Sequence, residues 1–216
     1  SAPYQPTAET SVPPPQVDQS NFEIPITFEE AYNDPTIVLN PVALNLLPEK
    51  YWAQQSQTMT FAQIVKEYFK QNRTQNSTFM LKLYNLLLIS SQIPKLQRAI
   101  GVRWVNDSVI ELSRSALINI FNVRESTVDG SMFHRQGNFP THRFIEITDS
   151  NYQQMGFLEY GQMPRIPGDT KFFIHEPRVF TRRPMTEGEL RSIKYSNEAK
   201  KTYRSKTDFN GAMIPL

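Results

Sequence analysis

The chain has 216 residues, 39% of them hydrophobic, no cysteine and a net charge of +2. That length holds one sizeable domain with appendages, and the missing cysteine excludes disulfides and thiolate metal sites. No apolar run approaches the roughly 20 residues of a membrane helix, and the polar, Pro-rich first residues lack the basic start and apolar core of a secretory signal.

The small net charge hides a gradient. Residues 1–60 carry seven acids against one base, Lys50, while residues 161–216 carry eleven bases against six acids. An acidic arm and a basic body that meets an anion fit this asymmetry; so does an acidic arm that folds back on the basic tail.

In chain order, residues 1–21 are predicted to be an unstructured arm. Pro3, Pro6, Pro13, Pro14 and Pro15 stand among Gln, Ser and Thr and favour extended backbone. Residues 22–59 read as an extended docking arm, with Phe22, Ile24, Ile26 and Phe28 alternating and Pro25, Pro35, Pro41 and Pro48 interrupting. From Thr60, a potential N-cap, the stripe Phe61, Ile64, Val65, Tyr68 and Phe69 predicts a helix. A second helix, capped by Thr78, carries Phe79, Leu83, Leu86 and Leu87 on one face.

Residues 100–105 and 109–112 flank Asn106-Asp107-Ser108 and predict a β-hairpin. Ser113 can cap a third helix bearing Ala116, Leu117, Ile120 and Phe121. Residues 144–147 read as a strand, with 157–160 as its expected partner and 171–176 as another strand. Residues 185–201 read as a basic helix leading to a tail. The predicted division is 1–21, 22–59, a domain at 60–184, and a basic helix and tail at 185–216. The fold class expected is α+β: a winged helix-turn-helix, a helical bundle with a small antiparallel sheet, plus the N-terminal arm.

Residues 131–143 gather His134, Arg135, Gln136, Asn138, His142 and Arg143 among aromatics. Arg can bond guanine at two points, and Asn or Gln can bond adenine in the same way. Arg135, Gln136 and Asn138 are therefore candidate base contacts. His134, His142, Arg143, Arg178, Arg182, Arg183 and Lys194 are candidate phosphate contacts, which position a protein on DNA without reading sequence. For Arg135 the competing reading is an ion pair with Glu125 or Asp129; for Gln136 and Asn138 it is bracing of a short helix.

Four fragments resemble the heat-shock-factor type of DNA-binding domain across residues 78–194. Phe79-Met-Leu-Lys-Leu-Tyr-Asn-Leu-Leu87 is similar to that family's opening helix, and residues 100–112 with Trp104 to its hairpin. Phe133-His-Arg-Gln-Gly-Asn-Phe139 resembles its recognition helix. Phe173-Ile-His-Glu-Pro-Arg-Val-Phe-Thr-Arg182, followed by residues 189–194, resembles what lies beyond its wing. The resemblance implies a recognition helix in the major groove with Arg135 on a guanine. Departures are Gly137 inside that helix, Pro140 ending it, and residues 121–127, which lack the family's Lys and His.

The function expected is DNA binding by a nuclear transcription regulator. Double-stranded DNA is the partner, with possible protein partners through residues 1–59. The alternative is a non-enzymatic subunit of a nucleoprotein or chromatin assembly, with a virion coat component ranked last. No cofactor, membrane or small-molecule substrate is expected. Three histidines without metal-ligand spacing, no Gly-rich phosphate loop and no nucleophile motif argue against an enzyme or a metal site.

Overall fold

Helix α4 (Phe79–Gln92) explains the layout of the rest. Thr78 caps it, its hydroxyl accepting from the Leu81 N–H. Eleven of its fourteen residues are buried, so apolar elements must surround it on nearly all sides. The single apolar face read from sequence understates this, because the segments before it cover the other side. The computed structural model describes residues 24–152 and 168–193, and α4 runs through the middle of their main core.

The segment expected as an extended arm supplies much of that cover. Its Thr27 and Glu30 form a capping box that starts α1 (Phe28–Asn33). Strand β1 (Val38–Leu39), helix α2 (Glu49–Ala53) and strand β2 (Met59–Thr60) follow, and β1 pairs with β2 antiparallel. Ala31, Leu39, Leu46 and Trp52 join the same core as α4. The anchor is Asn85, wholly buried on α4. Its Oδ1 accepts from the Leu47 N–H at 2.9 Å, and its Nδ2 donates to the Leu47 carbonyl at 2.7 Å and to the Tyr68 hydroxyl at 3.1 Å. From residue 28 onward this segment is therefore folded into the domain, because a buried amide grips its backbone.

Thr60 and Gln63 make a second capping box at α3 (Phe61–Ile64), which continues as a π-helical turn over Val65–Phe69. Beyond α4 come α5 (Gln97–Ile100), β3 (Val102–Trp104), β4 (Val109–Ser113) and α6 (Arg114–Ile120). The Asn106 side chain closes the β3–β4 turn by accepting from the N–H groups of Ser108 and Val109. A π-helical turn (Asp129–Phe133), α7 (Asn138–Thr141), β5 (Phe144–Ile147), β6 (Thr170–His175) and α8 (Glu187–Ser192) complete the order.

The larger sheet is antiparallel in the order β3-β4-β6-β5. Among the described residues the protein is thus α+β with two small antiparallel sheets. The expected partner strand at 157–160, the N-terminal arm to residue 23 and everything from Lys194 lie outside the described residues. Among the described residues no helix is long and apolar enough to cross a membrane, and no group of His, Asp or Glu could hold a metal ion.

Candidate nucleic-acid interface

A stack of phenylalanines sets the position of residues 129–143. Phe139 is fully buried, lies 4.6 Å from Phe173 of β6 and meets Phe133, Phe79 and Phe144. Val128 and Met132 point into the same core. The π-helical turn ends at His134, whose backbone becomes extended (φ −66°, ψ 163°). The Gly137 N–H then donates to the His134 carbonyl at 2.6 Å, and Gly137 starts α7.

The continuous recognition helix implied by the resemblance is therefore absent. Two short helical pieces meet at a tight turn. Gly137 is required by close approach: a Cβ there would stand 2.5 Å from the Met132 carbonyl carbon and 2.8 Å from the Phe133 nitrogen.

His134, Arg135 and Gln136 are all exposed at the tip of this turn. Arg135 makes no ion pair among the described residues. Asp129 is taken by Arg114 at 3.0 Å, and Arg114 also donates to the Glu125 carbonyl. Asn138 is set back, half-buried, with its amide donating to the Met132 sulfur at 3.4 Å.

His142 is not a surface residue, which corrects its assignment as a phosphate contact. It is 5% exposed and its Nδ1 donates to the Asn138 carbonyl at 2.6 Å, with its ring against Phe79. Burial lowers its pKa, outweighing the carbonyl's pull upward, and the charge of Arg73 lowers it further. Its neighbour His175 is pushed down to about 4, also chiefly by burial. Both imidazoles are neutral core groups.

Arg143 and Arg178 are exposed and share an unusual backbone state, with φ of +68° and +52°. Left-handed conformations of non-glycine residues cost roughly 1–2 kcal/mol and cluster at functional sites. The two arginines flank the same end of the β5–β6 ladder. Phe144 pairs with His175, the Glu176 N–H donates to the Arg143 carbonyl, and the Arg178 N–H donates to the His175 carbonyl. Arg135 and Arg143 stand at opposite ends of the single turn of α7.

Arg182 and Arg183 are exposed farther along, Arg183 in an ion pair with Glu189 at 3.0 Å. Lys194 lies outside the described residues. Arg73, which is not among the expected contacts, is exposed and close enough to act on His142. The signal available for it was a cation in an Asn/Gln-rich loop directly before the capped helix α4.

The loop between β5 and β6 is tied down at its return. Asp169 accepts from the hydroxyls of Ser113 and Ser115 at 2.6 and 2.7 Å and from the Ser115 N–H. Burial works to raise the Asp169 carboxyl; these bonds and the Arg114 charge outweigh it and hold the group low.

The geometry is that of an α+β domain presenting a polar tip and exposed arginines beside an antiparallel sheet. Residues 53–165, just over half of the chain, match the transcription-initiator DNA-binding domain IBD. The chain belongs to this family of DNA-binding domains. The expectation of a DNA-binding domain holds at that level, and the family shown is IBD rather than the heat-shock-factor type. Among solved structures, the chain is similar to the T. vaginalis IBP39 initiator binding domain bound to the alpha-SCS Inr element. Identity there is 18%, over 67% of this chain and 98% of that one, with a TM-score of 0.36. No curated protein matches the chain.

Proposed function

We propose that this chain is a nuclear regulator of transcription initiation that binds double-stranded DNA with a divergent winged helix. In this reading the unit runs over residues 60–184, with the folded part of 22–59 as its cover. Helices α4, α6 and the 129–141 segment form its helical part, and β4, β6 and β5 form its sheet and wing. The 134–136 turn enters the major groove, where Arg135 and Gln136 reach base edges. His134, Arg143, Arg178 and Lys194 hold phosphates, joined by Arg73. Asn138 braces the turn from behind. Arg183 is committed to Glu189, and Arg182 lines a separate groove described below. The role is binding rather than catalysis.

The observation that carries the reading is the exposed Arg135, without an ion pair among the described residues, at the tip of a turn clamped by Gly137 and the phenylalanine stack, inside the family-matched region. The test is fluorescence anisotropy of the full chain on random duplex DNA and on a pool selected for tight binding, across a salt series. A steep fall of log affinity with log salt and an enriched motif are expected. Arg135→Ala should lose about 1–3 kcal/mol of discrimination at one base pair. Arg143→Ala or Arg178→Ala should weaken binding to all sequences alike and reduce the salt slope by about 1 each. Unchanged binding by Arg135→Ala would sink the base-contact assignment. A shallow slope without enrichment would favour a protein-docking subunit of a nucleoprotein assembly.

A further inference from the structure

The C-terminal half of α4 borders a groove of about 430 Å³ that the DNA reading does not use. Its walls are largely apolar: Leu47, Tyr84, Leu87, Leu88, Trp104 and Met185. Along α4, Leu88 lies nine residues from Phe79, the contact of Phe139 and His142, or about 13 Å. The rim carries Arg182 and Pro184. Arg182 is exposed, and its guanidinium meets no carboxylate among the described residues. Aromatic-lined grooves are the usual receivers of Pro-rich segments in polyproline II conformation, a preformed helix without internal backbone hydrogen bonds.

Residues 1–23 have that chemistry. They hold five prolines, three acids (Glu9, Asp18 and Glu23) and no base. Val12-Pro13-Pro14-Pro15-Gln16-Val17-Asp18 places bulky apolar groups around a proline run, with an acid three residues beyond Pro15.

The tether is also in place. The described chain begins at Ile24, and the Ile26 N–H donates to the Lys95 carbonyl just past the end of α4. Leu88 lies in the last turn and a half of α4, and Lys95 follows three residues after its end. Nine residues separate Pro15 from Ile24, a reach of about 28 Å in extended polyproline form. A second groove, lined by Pro25, Arg98, Arg103 and Glu111, holds no aromatic side chain.

We propose that the α4–β3 groove receives the chain's own residues 12–18, with the prolines against Trp104 and Tyr84 and Asp18 on Arg182. This site does not depend on the DNA reading.

Because the chain has no cysteine, a single spin label can be placed at Ser11→Cys in the full protein. The measurement is loss of NMR peak intensity, label oxidised against reduced. Selective loss is expected at the Trp104 indole N–H and the Leu88 methyls, and little at Ile147. Ile147 is in β5, three strand spacings or about 14 Å from β3 across the sheet. Asp18→Arg, a change confined to the arm, should abolish the selective loss, and so should Arg182→Glu. The double variant should restore it. Uniform loss over the surface, loss insensitive to Asp18→Arg, or loss seen only between labelled and isotope-enriched copies in a mixed sample would each overturn the proposal.

Discussion

Helix α4 and the segment 129–143 both bury large apolar side chains, yet one is a regular helix and the other is broken. A regular helix turns 100° per residue, so three successive side chains spread over about 200° of its circumference. That suits α4, which is buried on nearly all sides. It would not suit His134, Arg135 and Gln136, which all project from one tip. The break at Gly137 converts a helical stretch into a presenting turn, and the stack of Phe133, Phe139 and Phe173 holds that turn still. Regularity here serves the core, and irregularity brings three polar side chains to one exposed tip.

The sharpest way to break this contrast is Phe139→Ala. Removing a fully buried ring should destabilise the protein by about 3–5 kcal/mol in urea unfolding, and the surviving folded fraction should bind DNA weakly because the turn loses its support. Gly137→Ala is next. The new methyl collides with backbone atoms of Met132 and Phe133 rather than with a movable side chain. A loss near the upper end of overpacking effects, about 3 kcal/mol, is expected. Its loss of DNA affinity should match that of Arg135→Ala.

Asn85→Ala tests the other side of the comparison. It strands the half-buried Leu47 N–H, while the Leu47 carbonyl keeps the Trp52 indole N–H at 3.1 Å. A loss of about 2 kcal/mol is expected, with DNA affinity of the folded protein unchanged. Equal damage to DNA binding would mean that the cover and the tip are coupled.

The mildest effect is a slope rather than a step. His142 and His175 both have folded pKa values below the ordinary 6.5, His175 at about 4. The unfolded chain therefore binds more protons between those limits, so stability is full above about pH 6.5 and falls as pH drops toward 4. Urea unfolding across that window should show the decline, and His175→Phe should flatten part of it.

Several of these features were legible along the chain. The Thr60 and Thr78 caps, the hairpin around Asn106 and the strand at 144–147 depend on residues within a few positions of each other, so local chemistry suffices to read them. The Thr27-x-x-Glu30 box was equally local, but it was hidden inside a stretch whose prolines read as an arm. Arg135 was legible as a residue type, though not as an unpaired one: that depended on Arg114 capturing Asp129 from fifteen positions away.

The sequence by itself determined which segments could be helix or strand, the charge gradient, and the polar-aromatic character of residues 131–143. Tertiary structure alone decided the rest. It folded residues 28–59 onto α4 through Asn85, 38 positions from its partner Leu47. It buried His142 and His175, and it set Arg143 and Arg178 in left-handed backbone at one end of the sheet. It also turned Gly137 from an apparent helix defect into a necessity. The physical reason is that caps and turns are satisfied within a few residues, whereas burial and close backbone approach depend on groups brought in from distant parts of the chain.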